Sequence, residues 1–170
     1  WRLRFALGLV PTDWPPWKYY PTATSAPPDS LQLFGGTREV DILPGGVAAW
    51  RREVFGKHRF SQFFRGYAQG EDLEMSLRVG QSWRLLWCGD AHVEHNHAPG
   101  GRPPSVERGM MQVRNRYFIW RRYTRQPRLG IRARFWGDIA YIFLWDLAAY
   151  AIRPRQLRYL AHAWGVLRGG

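Results

Sequence analysis

The sequence is poor in cysteine, with only Cys88 among its 170 residues. Because there is no second thiol, the chain can form neither an internal disulfide nor a cysteine-based zinc site. A reducing setting that faces the cytosol is therefore expected.

The chain also lacks an initial Met, since it begins at Trp1 without a charged segment or a signal-like apolar run. We expect it to be the C-terminal portion of a longer protein.

Long uninterrupted apolar runs are absent as well. The most apolar segment, residues 131–152, is broken by Asp138 and Asp146, and its longest uncharged run is residues 139–145. A membrane-spanning helix needs roughly 20 predominantly apolar residues. The sequence therefore predicts that this segment lies on a membrane surface and does not cross the bilayer.

Lysine is missing from the last seventy residues, although most of the positive charge lies there. Residues 1–100 hold 11 Lys/Arg against 10 Asp/Glu, whereas residues 101–170 hold 14 Arg against three acids. Nearly the whole formal charge of +12 is therefore C-terminal. Arginines beside aromatic side chains attract the phosphates of a membrane surface, a nucleotide or a nucleic acid. Charge alone leaves these partners open.

The remaining composition is that of a folded protein, because 45% of the residues are hydrophobic and the length suits a domain with its own core. Residues 1–37 are the exception. Six of the twelve prolines fall between residues 11 and 36, which precludes regular helix and central strand there. We interpret residues 1–37 as an irregular Pro-rich connector whose aromatic side chains are packing anchors, namely Trp14, Trp17, Tyr19 and Tyr20.

Regular structure is predicted beyond the connector from turn residues and from the spacing of apolar residues. Short strands and helices are expected first, and helices alone in the C-terminal part. The predicted strands are residues 40–43, 84–88 and 92–95, and the predicted helices are residues 47–55, 71–79, 106–124 and 154–167.

Three acidic residues, Glu71, Asp72 and Glu74, stand in the first turn of the predicted helix 71–79. Carboxylates at this place commonly complement the helix dipole, and that interpretation stays open. The dipole also keeps a carboxylate ionised at a fixed point, as a general base requires. Asp72 is the candidate for such a base, with Glu71 beside it on another side of the helix.

A glycine turn and a pair of arginines precede these carboxylates. Gly45 and Gly46 directly follow a predicted strand, and glycine lets the backbone come close to a ligand, although an ordinary turn has the same pattern. Arg51 and Arg52 come next, on the predicted helix 47–55. One arginine of such a pair commonly binds a carboxylate such as Glu71, while the other is solvated.

Two histidines and three arginines follow the last predicted strand. His95 and His97 alternate on one face of an extended segment, a spacing that suits metal coordination and that hydrogen-bonded loop residues also show. Arg102, Arg114 and Arg116 carry guanidinium forks, which bind phosphate oxygens bidentately. A solvated basic helix face explains each single arginine equally well.

The order of these features resembles the acceptor-side half of an inverting family-2 glycosyltransferase of the GT-A fold. The resemblance covers residues 38–125 and is strongest at 70–78, the run Gly70-Glu71-Asp72-Leu73-Glu74-Met75-Ser76-Leu77-Arg78. It implies an α/β fold, the C-terminal half of a GT-A-like domain with a short mixed sheet and flanking helices. A basic, Trp-bearing helical tail over residues 126–170 would follow.

The resemblance also implies a role for each candidate. Asp72 would be the catalytic base, and Glu71 would hold the loop or the acceptor. His95 and His97 would help to hold a divalent Mn or Mg ion with an Asp-x-Asp motif, which occurs nowhere in the 170 residues. The residues expected to contact donor or acceptor are Gly45, Gly46, Arg51, Arg52, Arg102, Arg114 and Arg116.

The run Arg114-Asn115-Arg116 is similar to that of non-processive members of the family. It departs from the Gln-x-x-Arg-Trp signature of the processive cellulose and chitin synthases, which makes a long polymer the less expected product. The reaction implied is transfer of a sugar from a nucleotide-sugar to a lipid-linked saccharide or a cell-surface polysaccharide. The fragment alone is expected to be inactive.

The expected location is the cytoplasm, peripheral at the inner face of the membrane, with an anionic surface as a partner of the tail. Two alternatives without catalysis stay open, a basic aromatic-rich nucleic-acid-binding module and a membrane-surface adaptor. Nucleic acid is not the expected partner, because lysine is missing from the basic half and the acidic cluster at 71–74 would repel a phosphate backbone.

Overall fold

The structure, a computed structural model, describes residues 2–11, 15, 17–24, 35–94 and 103–170. Contacts divide the chain into two compact units. The helical unit comprises Trp1–Thr12, Pro21–Ala23 and Gly101–Gly170, and the sheet unit comprises Asp13–Tyr20 and Thr24–Gly100. The division falls near residue 100, whereas the sequence places the boundary at residue 125.

The elements in chain order are helix α1 (Arg2–Ala6), strand β1 (Thr37–Val40), helix α2 (Val54–Lys57), helix α3 (Glu71–Val79), strand β2 (Leu85–Cys88), helix α4 (Ser105–Tyr123), helix α5 (Leu129–Ile152) and helix α6 (Arg158–Arg168). The described residues are thus broadly α/β, mainly helical with one small sheet. Helix α1 lies within residues 1–37, so that part of the chain is not irregular throughout.

The sheet of the sheet unit consists of β1 and β2, paired antiparallel from Thr37 opposite Cys88 to Val40 opposite Leu85. Its buried core joins both strands to helices α2 and α3 through Val40, Val54, Met75, Val79 and Leu85. Partly buried aromatic and aliphatic side chains pack around this core, namely Trp17, Leu43, Trp50, Phe55, Trp83 and Trp87. The expected role of Trp17 as an anchor is confirmed, since its ring stacks on Trp87 with centroids 4.9 Å apart.

The sequence predicts helix α3 with the observed bounds and β2 to within one residue. The predicted helix 47–55 is wrong. Residues 47–49 form a turn and an irregular segment, and only α2 is helical. The reason is tertiary, because Trp50 packs on the core while the preceding residues line a pocket described below.

Two predicted strands also differ. The first is displaced, since β1 covers Thr37–Val40 and not residues 40–43. Residues 92–94 of the last one are not a strand, and its final residue lies outside the described part of the chain. Within the described residues the sheet is therefore a two-stranded antiparallel ribbon, in place of the expected mixed sheet.

In the helical unit, α6 packs closely on α4 and also on α5. Two glycines make the α4–α6 crossing possible. A Cβ added to Gly109 would lie 2.3 Å from the carbonyl oxygen of His162, and one added to Gly165 would lie 2.1 Å from that of Val106. Only glycine allows the two backbones to approach this closely.

Helix α5 continues through both of its carboxylates. Asp138 is fully buried and accepts hydrogen bonds from Arg4 of α1, while Arg116 Nη1 of α4 lies 2.6 Å from its Oδ2 atom. Asp146 is buried too, with Oδ2 2.5 Å from His162 Nδ1 of α6. Buried carboxylates are tolerated when they are paired in this way.

The expectation that this segment does not cross a membrane rests on its short uncharged run, residues 139–145. Helix α5 has 24 residues and, by length and composition alone, could cross a bilayer. Its two carboxylates, Asp138 and Asp146, are paired with side chains from other helices. Length and composition do not establish a span, since core helices of soluble proteins share them.

Candidate active site

The start of helix α3 is set by Gly70, whose φ of +89° lies in the left-handed region that favours glycine. The carbonyl of Gly70 accepts the first helical hydrogen bond, from the N–H of Glu74 at 3.0 Å. Glu71 and Asp72 therefore occupy the first turn, as the sequence predicts. There the unpaired N–H groups and the helix dipole favour negative charge.

Asp72 is held against the glycine turn. The N–H of Gly45 donates to Asp72 Oδ2 at 3.1 Å, and the N–H of Leu73 donates to Asp72 Oδ1 at 2.8 Å. A Cβ on Gly45 would lie 3.3 Å from the Asp72 Cβ, so a larger residue would press on the carboxylate. Two motifs that stand 27 residues apart in the sequence thus meet.

Ser76, one helical turn beyond Asp72, fixes the same segment. Its Oγ accepts from the N–H of Leu43 at 3.0 Å and lies 3.4 Å from the Leu43 carbonyl oxygen. Residues four apart share a face of a helix, so Asp72 and Ser76 together attach the chain before and within the turn to α3. Sequence reasoning missed Ser76. The sequence feature that could have identified Ser76 is its place four residues after Asp72, which puts a polar residue on the same helical face as the candidate base.

The three carboxylates of α3 have different surroundings. Glu74 is buried and forms an ion pair with Arg78, whose Nη2 lies 2.9 Å from Glu74 Oε2. Arg78 also donates to the carbonyl of Arg59, which ties the helix to the preceding loop. Glu74 is therefore a structural group, and Glu71 and Asp72 are the carboxylates left at the helix start.

The pKa of Glu71 is raised above its ordinary value of 4.5, first by partial burial and second by the negative charge of Asp72. Neighbouring carboxylates whose environments differ in this way can take different roles in proton transfer.

A pocket of about 440 Å³ opens beside the turn. Its walls are Leu43, Pro44 and residues 47–49 on one side, and residues 86–88 and 91–93 on the other. Most of these side chains are aliphatic, and Trp87 and His92 add aromatic rings. Pro44 lines the pocket and Gly45, next in the chain, bonds to Asp72. The candidate base therefore lies next to the rim of a cavity large enough for a small ligand.

Gly46, Arg51 and Arg52 are exposed. The two arginines lie in the segment before α2 and not on a helix, which corrects the predicted placement. Of the predicted site residues, the described contacts bring together Gly45 and Asp72.

Arg114 and Arg116 lie on α4, in the helical unit. Arg114 is exposed, with Nε 3.2 Å from Asn115 Oδ1. Arg116 is buried: besides the Asp138 ion pair, it donates to the Thr22 carbonyl at 2.9 Å and stacks over the Phe135 ring. Its guanidinium is committed to the interior of the unit, so we leave it out of the proposed phosphate contacts.

His95, His97 and Arg102 lie outside the described residues, so their predicted roles in metal and phosphate binding stay predictions. Among the residues that are described, no group of three or more His, Cys, Asp or Glu side chains could hold a metal ion.

Comparisons with models of known protein families, with curated proteins and with solved structures found no match for this chain. Its function is therefore inferred from its own residues and their geometry.

Proposed function

We propose that the chain is the acceptor-side part of an inverting, non-processive family-2-like glycosyltransferase, with Asp72 as the general base. The finer fold assignment, the C-terminal half of a GT-A-like domain, belongs to the same proposal. The single observation that carries it is the hydrogen bond from the Gly45 N–H to Asp72 Oδ2 at 3.1 Å. It joins the two motifs on which the resemblance depends most.

The surroundings of Asp72 suit a base. Each of its carboxylate oxygens accepts one backbone N–H, from Gly45 or Leu73, which orients the group and leaves further lone pairs for an acceptor proton. It stands in the first turn of α3, at the positive end of the helix dipole.

The reaction is a direct displacement. Asp72 removes the proton from an acceptor hydroxyl, and the oxygen attacks the anomeric carbon of the donor sugar. The bond from that carbon to the diphosphate oxygen breaks, so that the configuration inverts and the nucleoside diphosphate leaves. Glu71, the neighbour with the raised pKa, is assigned to the acceptor or to the loop that holds it.

Phosphate contacts are assigned to Arg51 and Arg52, which are exposed and belong to the same unit as Asp72. Arg102 and Arg114 belong to the helical unit, and their contact with phosphate stays a prediction. His95 and His97, the predicted ligands of a Mn or Mg ion, lie outside the described residues, and their metal-binding role stays part of the proposal. The steps above are carried by Asp72 and Glu71. The proposed acceptor is a lipid-linked saccharide or a cell-surface polysaccharide.

Replacement of the base tests the proposal in the polypeptide that contains this chain. Asp72→Asn keeps the shape and accepts one of the two backbone N–H groups, that of Gly45 or of Leu73, through its amide oxygen, but it no longer takes a proton. Turnover with nucleotide-sugar and saccharide acceptor should fall by about 10²- to 10⁴-fold, the usual contribution of positioned proton transfer. The apparent affinity for the donor should change little.

Glu53→Gln is the matched control, since Glu53 is an exposed carboxylate that precedes α2. It should leave turnover unchanged. Thermal unfolding should show that Asp72→Asn is folded at the assay temperature, even with one of its two backbone hydrogen bonds lost, which separates lost chemistry from lost folding. Near-normal turnover in a folded Asp72→Asn protein would show that Asp72 is not the base.

A further inference from the structure

Helix α5 has two faces that differ in chemistry. The inner face carries Asp138 and Asp146, both buried and both paired with partners on other helices. The outer face is an exposed stripe at four-residue intervals, which begins at Arg132 and continues as Trp136, Ala140, Leu144, Ala148 and Ile152. Trp145 is exposed beside this stripe. The outer face therefore presents apolar side chains where a soluble helix presents polar ones.

No charge is exposed on α5 between Arg134 and Arg153, because the only two ionisable carboxylates there face inward. This stretch corresponds to about 27 Å of helix at a rise of about 1.5 Å per residue. Exposed arginines mark both of its ends, namely Arg128, Arg132 and Arg134 before it and Arg153, Arg155 and Arg158 after it.

Helix α6 repeats the pattern. Its buried face includes His162, Ala163, Gly165 and Val166. Its exposed apolar residues, together with Leu157 just before the helix, are spaced by three and four positions and include Leu160, Trp164 and Leu167. Arg158 and Arg168 stand at the two ends of the helix and are exposed. A helix that is apolar on two faces needs a second apolar environment besides its own unit.

Three exposed arginines, Arg153, Arg155 and Arg158, gather at the α5–α6 junction. A hydrogen bond from Arg158 lowers the pKa of Tyr159, and the charges of Arg158 and Arg153 act in the same direction. Such a junction attracts anions, because arginines gathered at one place add their potentials.

We propose that the exposed faces of α5 and α6 bind the surface of an anionic lipid bilayer and lie in its plane. Trp136, Leu144, Trp145 and Trp164 enter the boundary between headgroups and acyl chains, and the flanking arginines contact lipid phosphates. This partner satisfies both the apolar stripes and the charges at their ends. The inference is independent of the proposed reaction.

An in-plane helix fits the structure better than a membrane-spanning one. The inner side of α5 is occupied by polar partners from the unit itself, including Arg4, Arg116 and His162. Helix α4, which supplies Arg116, exposes Glu107, Arg114, Arg121 and Arg122 to solvent. A span would carry such groups into hydrocarbon, where charged side chains are costly. An α5 helix that lies in the membrane plane, with its outer face in lipid and its inner face on the protein, avoids that cost.

Vesicle sedimentation of the chain tests the proposal. The chain should pellet with phosphatidylglycerol-containing vesicles, pellet much less with pure phosphatidylcholine vesicles, and be released by salt. The double change Trp145→Ser with Trp164→Ser should weaken partitioning by about tenfold or more, since it removes apolar area from the interface. The double change Arg153→Gln with Arg155→Gln should weaken binding to anionic vesicles by about twenty- to thirtyfold.

Matched controls come from the sheet unit. Phe60→Ser with Tyr67→Ser removes two exposed aromatic residues, and Lys57→Gln with Arg65→Gln removes two exposed positive charges. Both controls should bind vesicles as the parent does. Circular dichroism of every variant confirms that the compared proteins are folded.

Four results would overturn the proposal. The first is equal binding to neutral and anionic vesicles, and the second is a loss of vesicle binding in the control variants that equals the loss in the test variants. The third is retention on vesicles after alkaline carbonate extraction. The fourth is conversion of a lipid-free dimer to monomers by the two Trp changes. The third result would indicate a spanning helix and the fourth a contact between copies of the chain. Tight binding of a single-stranded oligonucleotide that is lost in Arg153→Gln with Arg155→Gln and displaces vesicles would instead assign the arginines to nucleic acid.

Discussion

At the scale of single residues, the surroundings of a charged group decide what it can do. Glu74 and Arg116 belong to the motifs of the resemblance, yet both are buried and bound to partners of opposite charge. Asp72 is held mainly by backbone N–H groups and keeps capacity for a ligand. Glu71 and Asp72 are the carboxylates of α3 without an ion pair among the described contacts, and of the two only Asp72 is bonded to the glycine turn.

Glu71 allows a test of this environment by pH. Its pKa is raised in the folded protein, so the folded state binds more protons than the unfolded state between 4.5 and the raised value. Folding stability should therefore fall as pH rises through that window, and ionised Glu71 should destabilise the protein at neutral pH. Glu71→Gln should remove this loss. The melting temperature of Glu71→Gln should exceed that of the parent at neutral pH. Below pH 4.5, where Glu71 of the parent is protonated, the difference between the two melting temperatures should become smaller.

Glu53→Gln is the control for that experiment, because Glu53 is exposed and lies outside the acidic cluster. It should show no such pH-dependent gain. A melting temperature of Glu71→Gln that stays below that of the parent at every pH would mean that Glu71 stabilises the fold through its charge.

At the scale of elements, close contact of two backbones holds the helical unit together. Gly109 and Gly165 face the backbone of the opposite helix where α4 and α6 cross. This crossing also positions His162 beside Asp146 and thereby allows α5 to bury a carboxylate. The membrane proposal depends on it, because the outer face of α5 is uncharged only while Asp146 faces inward.

Gly165→Ala tests the crossing. Its added methyl group would lie 2.1 Å from the Val106 carbonyl oxygen, so the helices must separate. We expect a loss of about 1–3 kcal/mol or more in the free energy of unfolding, as overpacking typically costs. Gly130→Ala is the matched control on α5, because nothing lies within 4 Å of its added Cβ. It should be neutral or stabilise by up to about 1 kcal/mol. Equal effects of the two changes in chemical denaturation would contradict the close crossing.

At the scale of the whole molecule, the chain consists of two units with different tasks in the proposals. The sheet unit carries the candidate base and the pocket, and the helical unit carries the apolar stripes and most of the positive charge. A lipid-bound helical unit would keep the chain at the surface where a lipid-linked acceptor is found. The two proposals nevertheless stand or fall by separate experiments.

The chain by itself is expected to bind nucleotide-sugars weakly. It contains no Asp-x-Asp motif, and its described residues contain no metal-binding group. Binding energy from the nucleotide supports turnover in such enzymes, so its loss also predicts no transfer. Titration calorimetry with common nucleotide-sugars in the presence of manganese should reveal no strong site. Micromolar binding would contradict the assignment of nucleotide recognition to another part of the protein.

The sequence by itself determined the features that depend on neighbours along the chain. The bounds of α3 follow from Gly70 and from the apolar spacing, and the same reasoning found β2 and the body of α4. The grouping of Glu71 and Asp72 in a first helical turn was also readable. These features could be predicted because helix periodicity, turn residues and the helix dipole act over a few residues.

Only the tertiary structure decided which charges remain available and which segments stay irregular. Trp50 packs on the core, and the segment around it is irregular where the sequence predicts a helix over 47–55. Arg116 is buried against Asp138, while Arg114, two residues earlier, is exposed. Asp138 and Asp146 looked like interruptions of an apolar segment, but they are buried and paired with side chains from other helices. Burial and pairing depend on residues that are distant in the sequence and meet only after folding, so no local pattern reports them.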